Sequence, residues 1–98
     1  MRIVTYKRIQ EFATKHPDTQ APLNVWYHTI TAKSWQNLTD IKHDFNSVDY
    51  VGNHRYVFNI KGNTYRLIAI ISFNAQKVYI RFIGTHAAYG RIKDIKTI

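Results

Sequence analysis

Residues 56–89 read YVFNIKGNTYRLIAIISFNAQKVYIRFIGTHAAY, and this stretch decides the fold. β-Branched and aromatic residues fill three runs, Arg55–Lys61, Thr64–Phe73 and Lys77–Gly84, which is the composition of strands. Gly62-Asn63 and the Asn74–Lys77 connection supply the turn chemistry between them. If Gly62-Asn63 closes a two-residue turn, Lys61 faces Thr64, Asn59 faces Arg66 and Val57 faces Ile68. If Ala75-Gln76 closes the next, Tyr79 faces Ser72, Arg81 faces Ile70 and Ile83 faces Ile68. Opposed residues share a face because side chains alternate along a strand. One face then carries Asn59, Lys61, Arg66, Ile68, Ile70, Tyr79, Arg81 and Ile83. The other, with Tyr56, Phe58, Ile60, Tyr65, Leu67, Ala69, Ile71, Phe73, Val78, Ile80 and Phe82, has no charge and suits a bed for helices. A slip of one residue in either turn would scramble this division.

The helices come from the first half. Arg2–Val4 reads as a short leading strand and Thr5 as a helix N-cap. Tyr6, Ile9, Phe12 and Ala13 then recur at helical spacing up to His16-Pro17. Asp18 is the next cap candidate, and Leu23, Trp26, Tyr27 and Ile30 form an apolar stripe. Thr39 is placed to cap a third helix that turns Ile41 and Phe45 inward. An edge strand is expected near Val48–Val51, and Gly52-Asn53 is a turn signal. Beyond Thr85 a short helix is expected, and Ile92, Ile95 and Ile98 are spaced to dock back on the sheet. The expectation is an α+β fold in one domain, residues 1–98: an antiparallel sheet of three to five strands with helices on one face and a basic face opposite.

Charge is divided unevenly. Residues 1–50 hold six Lys/Arg and five Asp/Glu, a net +1, whereas residues 51–98 hold eight Lys/Arg against Asp94 alone, a net +7. Concentration in the strand half points to a polyanionic or acidic partner. The chain has no Cys, which excludes disulfides and Cys-based zinc sites. The opening MRIVTYKRIQEF has no apolar core of a signal peptide, so a cytoplasmic protein without membrane contact is expected. His16, His28, His43, His54 and His86 show no metal-ligand spacing, and neither a metal nor a cofactor is expected.

RNA can be cut without a metal when its own 2′-hydroxyl attacks the adjacent phosphate. That needs a base, cations around the phosphorane and an acid for the leaving 5′-oxygen. Arg66 and Arg81 suit a phosphate clamp, with Lys61 as a further donor. His86 titrates in the range for a base or acid, and Tyr89 suits base stacking or a phosphate hydrogen bond. Each has a plainer role open to it: a solvated arginine, a turn lysine, a structural histidine, a tyrosine anchoring the tail.

The run VGNHRYVFNIKGNTYRLIAIISFNAQKVYIRFIGTHAAY resembles HigB-type toxins of bacterial type II toxin–antitoxin modules, and the opening with HPD, APL and WY is similar too. The resemblance implies a RelE-like fold and an mRNA interferase working on messages in the ribosome. It also implies a cognate helix-turn-helix antitoxin of HigA type, with DNA reached only through that partner. Carried over by motif, the implied catalytic set is Lys61, Arg66, Arg81, His86 and Tyr89. Asn59 and Tyr79, on the same sheet face as the cations, and Arg91 beyond Tyr89 are expected as further RNA contacts. One position departs: members of this kind commonly carry an acid after the tyrosine, where this chain has Gly90. That leaves open a decayed toxin that binds RNA without cutting it. A toxin of this fold with another target, such as a DNA-topology enzyme, is a further alternative, against which the set Arg66, Arg81 and His86 argues.

Overall fold

The computed structural model describes every residue from Met1 to Ile98. Its elements run in the order β1 (Arg2–Ile3), α1 (Tyr6–Lys15), a 3-10 turn (Pro17–Thr19), α2 (Gln20–Thr31) and α3 (Leu38–Asp44). Then come β2 (Asp49–Gly52), β3 (Arg55–Ile60), β4 (Tyr65–Ser72), β5 (Lys77–Thr85) and α4 (His86–Gly90). One five-stranded sheet results, ordered β1-β5-β4-β3-β2. Its pairings are antiparallel except at one edge, where β1 runs parallel to β5. The architecture is α+β, as expected. The parallel edge was not foreseen, because two residues carry no pattern that sets a direction.

The helical stripes do bury. Ile9 of α1 and Leu23, Trp26 and Ile30 of α2 are closed from solvent, and Tyr6, Phe12, Ala13 and Tyr27 pack against them. They rest on Phe58, Ile60, Leu67, Ile71, Val78 and Ile80 of the sheet in one core of 17 buried residues. Each fully buried large aliphatic side chain contributes about 1.5–3 kcal/mol by area. No helix is long and apolar enough to cross a membrane.

The expected caps differ. Thr5 does hold the N-cap position of α1, but its hydroxyl makes no cap bond; its Oγ1 accepts from Ile80 N at 2.7 Å and so extends the β1–β5 edge. Helix α3 is capped by Asn37, whose side chain accepts from Asp40 N at 3.0 Å, rather than by Thr39. Asp18 caps nothing and serves the sheet turn instead.

Between β3 and β4 the expected register holds, with Asn59 opposite Arg66 and Val57 opposite Ile68. Between β4 and β5 it does not. Phe73–Gln76 form a four-residue connection, so Ser72 pairs with Lys77 and Ile70 with Tyr79. A β-bulge at Arg81 then shifts the register, placing Ile68 opposite Phe82 and Leu67 opposite Ile83. The extra residue reverses the facing of the strand beyond it. Phe82 shares a face with Ile68 and Gly84, while Ile83 turns to the helix side and packs on the core. The expectation that Ile83 lies on the basic face and Phe82 on the helix face is therefore corrected. Arg81 is the inserted residue and is exposed.

The face away from the helices is not bare. Val57 and Ile68 are 3% and 0% exposed although neither belongs to the helix-side core. Phe82 lies across Gly84 on this face. The tail returns to the far edge, where Asn53 Nδ2 donates to Lys96 O at 2.8 Å and an Arg55 guanidinium nitrogen donates to Ile98 O at 2.7 Å. Ile92, Ile95 and Ile98 are half-buried, as their spacing predicts.

Candidate functional site

At the end of the β4–β5 hairpin the sheet hands over to α4. Arg66 lies opposite Gly84, and Tyr65 opposite Thr85. Thr85 then caps α4: its backbone is extended and its Oγ1 accepts from Ala88 N at 3.1 Å. His86, the first helical residue, is exposed, and its N–H donates to Thr64 O at 3.1 Å. Tyr89 comes three residues later and so lies on the same side of the helix. It is half-buried, and the Arg66 Cζ sits 5.9 Å from its ring centroid. Arg66 and Tyr89 thus meet at one end of the sheet, with His86 at the start of the same short helix.

The Arg66 guanidinium is held only by neutral acceptors. It donates to Asn63 O and Tyr65 O, each at 3.2 Å, and to Asn63 Oδ1 at 3.4 Å. Its positive charge is therefore not offset by a carboxylate. The chain forms ion pairs only at Lys33–Asp44 and Lys61–Asp18, so Arg66, Arg81 and Arg91 have no carboxylate partner. Uncompensated guanidinium charge beside an aromatic ring suits phosphate and base together.

The other predicted residues spread outward. Asn59 is half-buried directly across from Arg66. Arg81 stands on the bulge, about 10 Å along the strands from Arg66 by strand geometry. Tyr79 pairs with Ile70, about 13 Å along from Arg66 by the same rise per residue. Arg91 is exposed just past α4. A shallow hollow of about 340 Å³ adjoins the site, lined by Tyr89, Gly90, Ile92 and tail residues Lys93 to Lys96.

Lys61 is engaged elsewhere. Its φ of +52° takes it out of the strand pleat, so alternation no longer sets its direction. The ammonium donates to Asp18 Oδ2 at 2.9 Å, and the Tyr65 hydroxyl donates to the same carboxylate at 2.9 and 3.0 Å. The Lys61 hydrogen bond and then the Tyr65 hydroxyl hold the Asp18 carboxyl below its ordinary value. The same carboxylate raises Lys61 and Tyr65. Sequence reasoning missed Asp18, Tyr65 and Asn63 as partners of the site. Nothing in the pattern marks Asp18, which lies 43 residues from Lys61 and already fits a cap.

Gly90 carries no conformational demand. Its φ is not in the left-handed region, and a Cβ there would meet no atom within 4 Å. It therefore does not end α4 as a left-handed cap.

Comparison with known proteins places the chain in a family. A family model described as HigB_toxin, RelE-like toxic component of a toxin-antitoxin system, matches residues 19–92. The mRNA interferase toxin HigB of Escherichia coli K12 is 35% identical over 92 residues, covering 91% of this chain and 88% of that protein. The mRNA interferase HigB of Shigella flexneri gives the same figures. An mRNA interferase HigB of Escherichia coli O6:H1 is 27% identical over 94 residues, covering 94% of this chain and 91% of that protein. With most of its length matched, the chain belongs to the HigB toxin family, the RelE-like toxic components of toxin–antitoxin systems.

Proposed function

We propose that this chain is an mRNA interferase, the toxin of a toxin–antitoxin pair, which halts translation by cutting messages. The observation that carries the reading is the Arg66 guanidinium, without a carboxylate partner, beside Tyr89 and one helical turn from exposed His86. Family membership sets the reaction class, and the relatives are named for it.

The step is an internal transesterification. A base takes the 2′-hydroxyl proton, the 2′-oxygen attacks phosphorus, and the P–O5′ bond breaks as the 5′-oxygen is protonated. The products are a 2′,3′-cyclic phosphate and a 5′-hydroxyl, and no metal takes part. Arg66 and Arg81 stabilise the charge that grows on the phosphorane. His86 carries a proton to or from the reacting oxygens, and Tyr89 stacks on a base. Asn59, Tyr79 and Arg91 extend the RNA track along the sheet and past α4, while Lys61 holds the turn through its ion pair with Asp18. The track is open and shallow, so the RNA is positioned by the ribosome as well as by the toxin. A HigA-like helix-turn-helix antitoxin neutralises the chain and supplies its only link to DNA. The setting is the cytoplasm.

A second reading, RNA binding without cleavage, rests on Gly90 at the position where an acid is common. Mapping new mRNA 5′ ends after brief induction in bacteria decides between them. In-frame cuts confined to translated regions, absent with Arg81→Ala, are the expected result. No new ends from a folded, soluble protein would favour binding alone.

A further inference from the structure

The β3–β4 turn, Lys61–Thr64, is tied down on three sides. Toward the helices, Lys61 and the adjoining Tyr65 both donate to the Asp18 carboxylate. Along the strand, Asn63 accepts from the Arg66 guanidinium through its backbone and side-chain oxygens. Toward α4, Thr64 O accepts from His86 N at 3.1 Å. Within the turn Lys61 is a non-glycine residue held at φ +52°, a strained backbone, whereas Gly62 takes φ +63° without steric cost.

Asp18 is itself well fixed. Its neighbour Thr19 is 0% exposed and donates from Oγ1 to His16 O at 2.6 Å. The His16 ring stacks on Phe12 at 4.2 Å, and both rings meet Tyr65 edge-on at 5.6 Å. An exposed carboxylate beside this packed cluster thus bonds the turn that leads into Arg66 and lies against the start of α4.

We propose that Asp18 is a positioning residue for RNA cleavage: by clamping Lys61 and Tyr65 it fixes the turn that holds the Arg66 guanidinium and the start of α4 at His86. This rests on reading Arg66 and His86 as the RNA-facing groups. Asp18 touches no RNA, and Lys61 acts through the clamp. Misplacement of a reacting group by an ångström costs about 100-fold in rate, so a small relaxation of the turn is enough to matter.

Two readouts on the purified toxin test it. Nitrogen-15 spectra of Arg66 Nε and of the Asn63, Thr64 and His86 amides report the turn without RNA. Cleavage of mRNA in a translating extract reports kcat and KM. Asp18→Asn is expected to leave the core amides in place, shift the turn and Arg66 signals, and lower kcat about 10- to 100-fold with little change in KM. The exchanged pair Asp18→Lys with Lys61→Asp restores opposite charges across the contact, and aspartate tolerates the left-handed backbone at 61. It is expected to recover most of the lost kcat. Unshifted turn signals in Asp18→Asn would overturn the proposal, as would an exchanged pair no more active than Lys61→Ala, which would put the Lys61 ammonium on RNA itself. Shifted turn signals in a wild type that cuts no RNA would sink the interferase reading and keep the clamp as a property of the turn.

Discussion

The Arg66 guanidinium carbon lies 5.9 Å from the centroid of the Tyr89 ring, joining the start of β4 to the last turn of α4. At an exposed site such a contact stabilises by about 0.5–1 kcal/mol. Its larger effect is to hold a charged fork and a flat ring side by side. Arg66→Ala is expected to lower cleavage at least about 100-fold, the loss seen when one donor to a developing oxyanion is removed, and to lower the melting temperature by only a few degrees. Arg66→Lys recovers little, since an ammonium reproduces neither the bidentate fork nor the stacking. Tyr89→Phe keeps the ring and stays active, whereas Tyr89→Leu does not. A dead Tyr89→Phe would assign the hydroxyl, rather than the ring, to the chemistry.

Arg81 gives a cleaner separation of fold from function. Its side chain is exposed at the bulge, and its tertiary hydrogen bond is made by its carbonyl, which accepts from an Arg8 guanidinium nitrogen at 3.1 Å. Alanine keeps that carbonyl. Arg81→Ala is therefore expected to fold and melt as the wild type does while losing cleavage and toxicity. A fully toxic Arg81→Ala would remove Arg81 from the active site.

Two glycines near the site should respond in opposite ways. A Cβ on Gly84 would lie 2.5 Å from Phe82 Cζ, so Gly84→Ala must push the ring off the sheet and destabilise by about 1–3 kcal/mol. Gly90→Asp meets open space and is expected to change stability by no more than about 0.5 kcal/mol. Urea midpoints of both variants check the pair. Gly90→Asp also tests the departure from the common acid, since a large gain in cleavage would mark the wild type as attenuated.

These contrasts reflect the limits of a one-dimensional pattern. The Asn59–Arg66 pairing was legible because Gly62-Asn63 fixes both turn length and phase. The bulge was not. In VYIRFI, apolar residues occupy both parities, so alternation cannot locate an inserted residue. Arg66, His86 and Tyr89 come together because they lie on neighbouring ends of one hairpin and its trailing helix. The Asp18–Lys61 contact joins residues 43 apart, and Asp18 satisfies a local cap pattern that tertiary structure overrides. Thr39 reads as the cap of α3 in the sequence, but Asn37 holds that place through the bond from Asp40 N, a choice the local pattern does not reveal.

The Asp18 cluster also sets a pH window. The carboxyl is held below its ordinary 3.8, first by the Lys61 hydrogen bond and then by Tyr65. A depressed folded value means this contribution is fully present above the unfolded carboxylate range and is lost as pH falls through the folded value. On the alkaline side, the Asp18 hydrogen bond raises Lys61 above 10.5 and Tyr65 above 10.0. Those contributions are present below the unfolded values and fade as pH rises through the folded ones. The stability advantage of wild type over Asp18→Asn should thus form a plateau between roughly pH 4 and 10, shrinking at both ends. Asp44, lowered by Trp35 and then Lys33, fades at the acid end too, so Asp18→Asn will keep part of the wild-type acid sensitivity. Urea midpoints of both proteins across this range measure the difference directly. A gap that stays constant down to about pH 3 would show that the Asp18 charge contributes nothing to the fold.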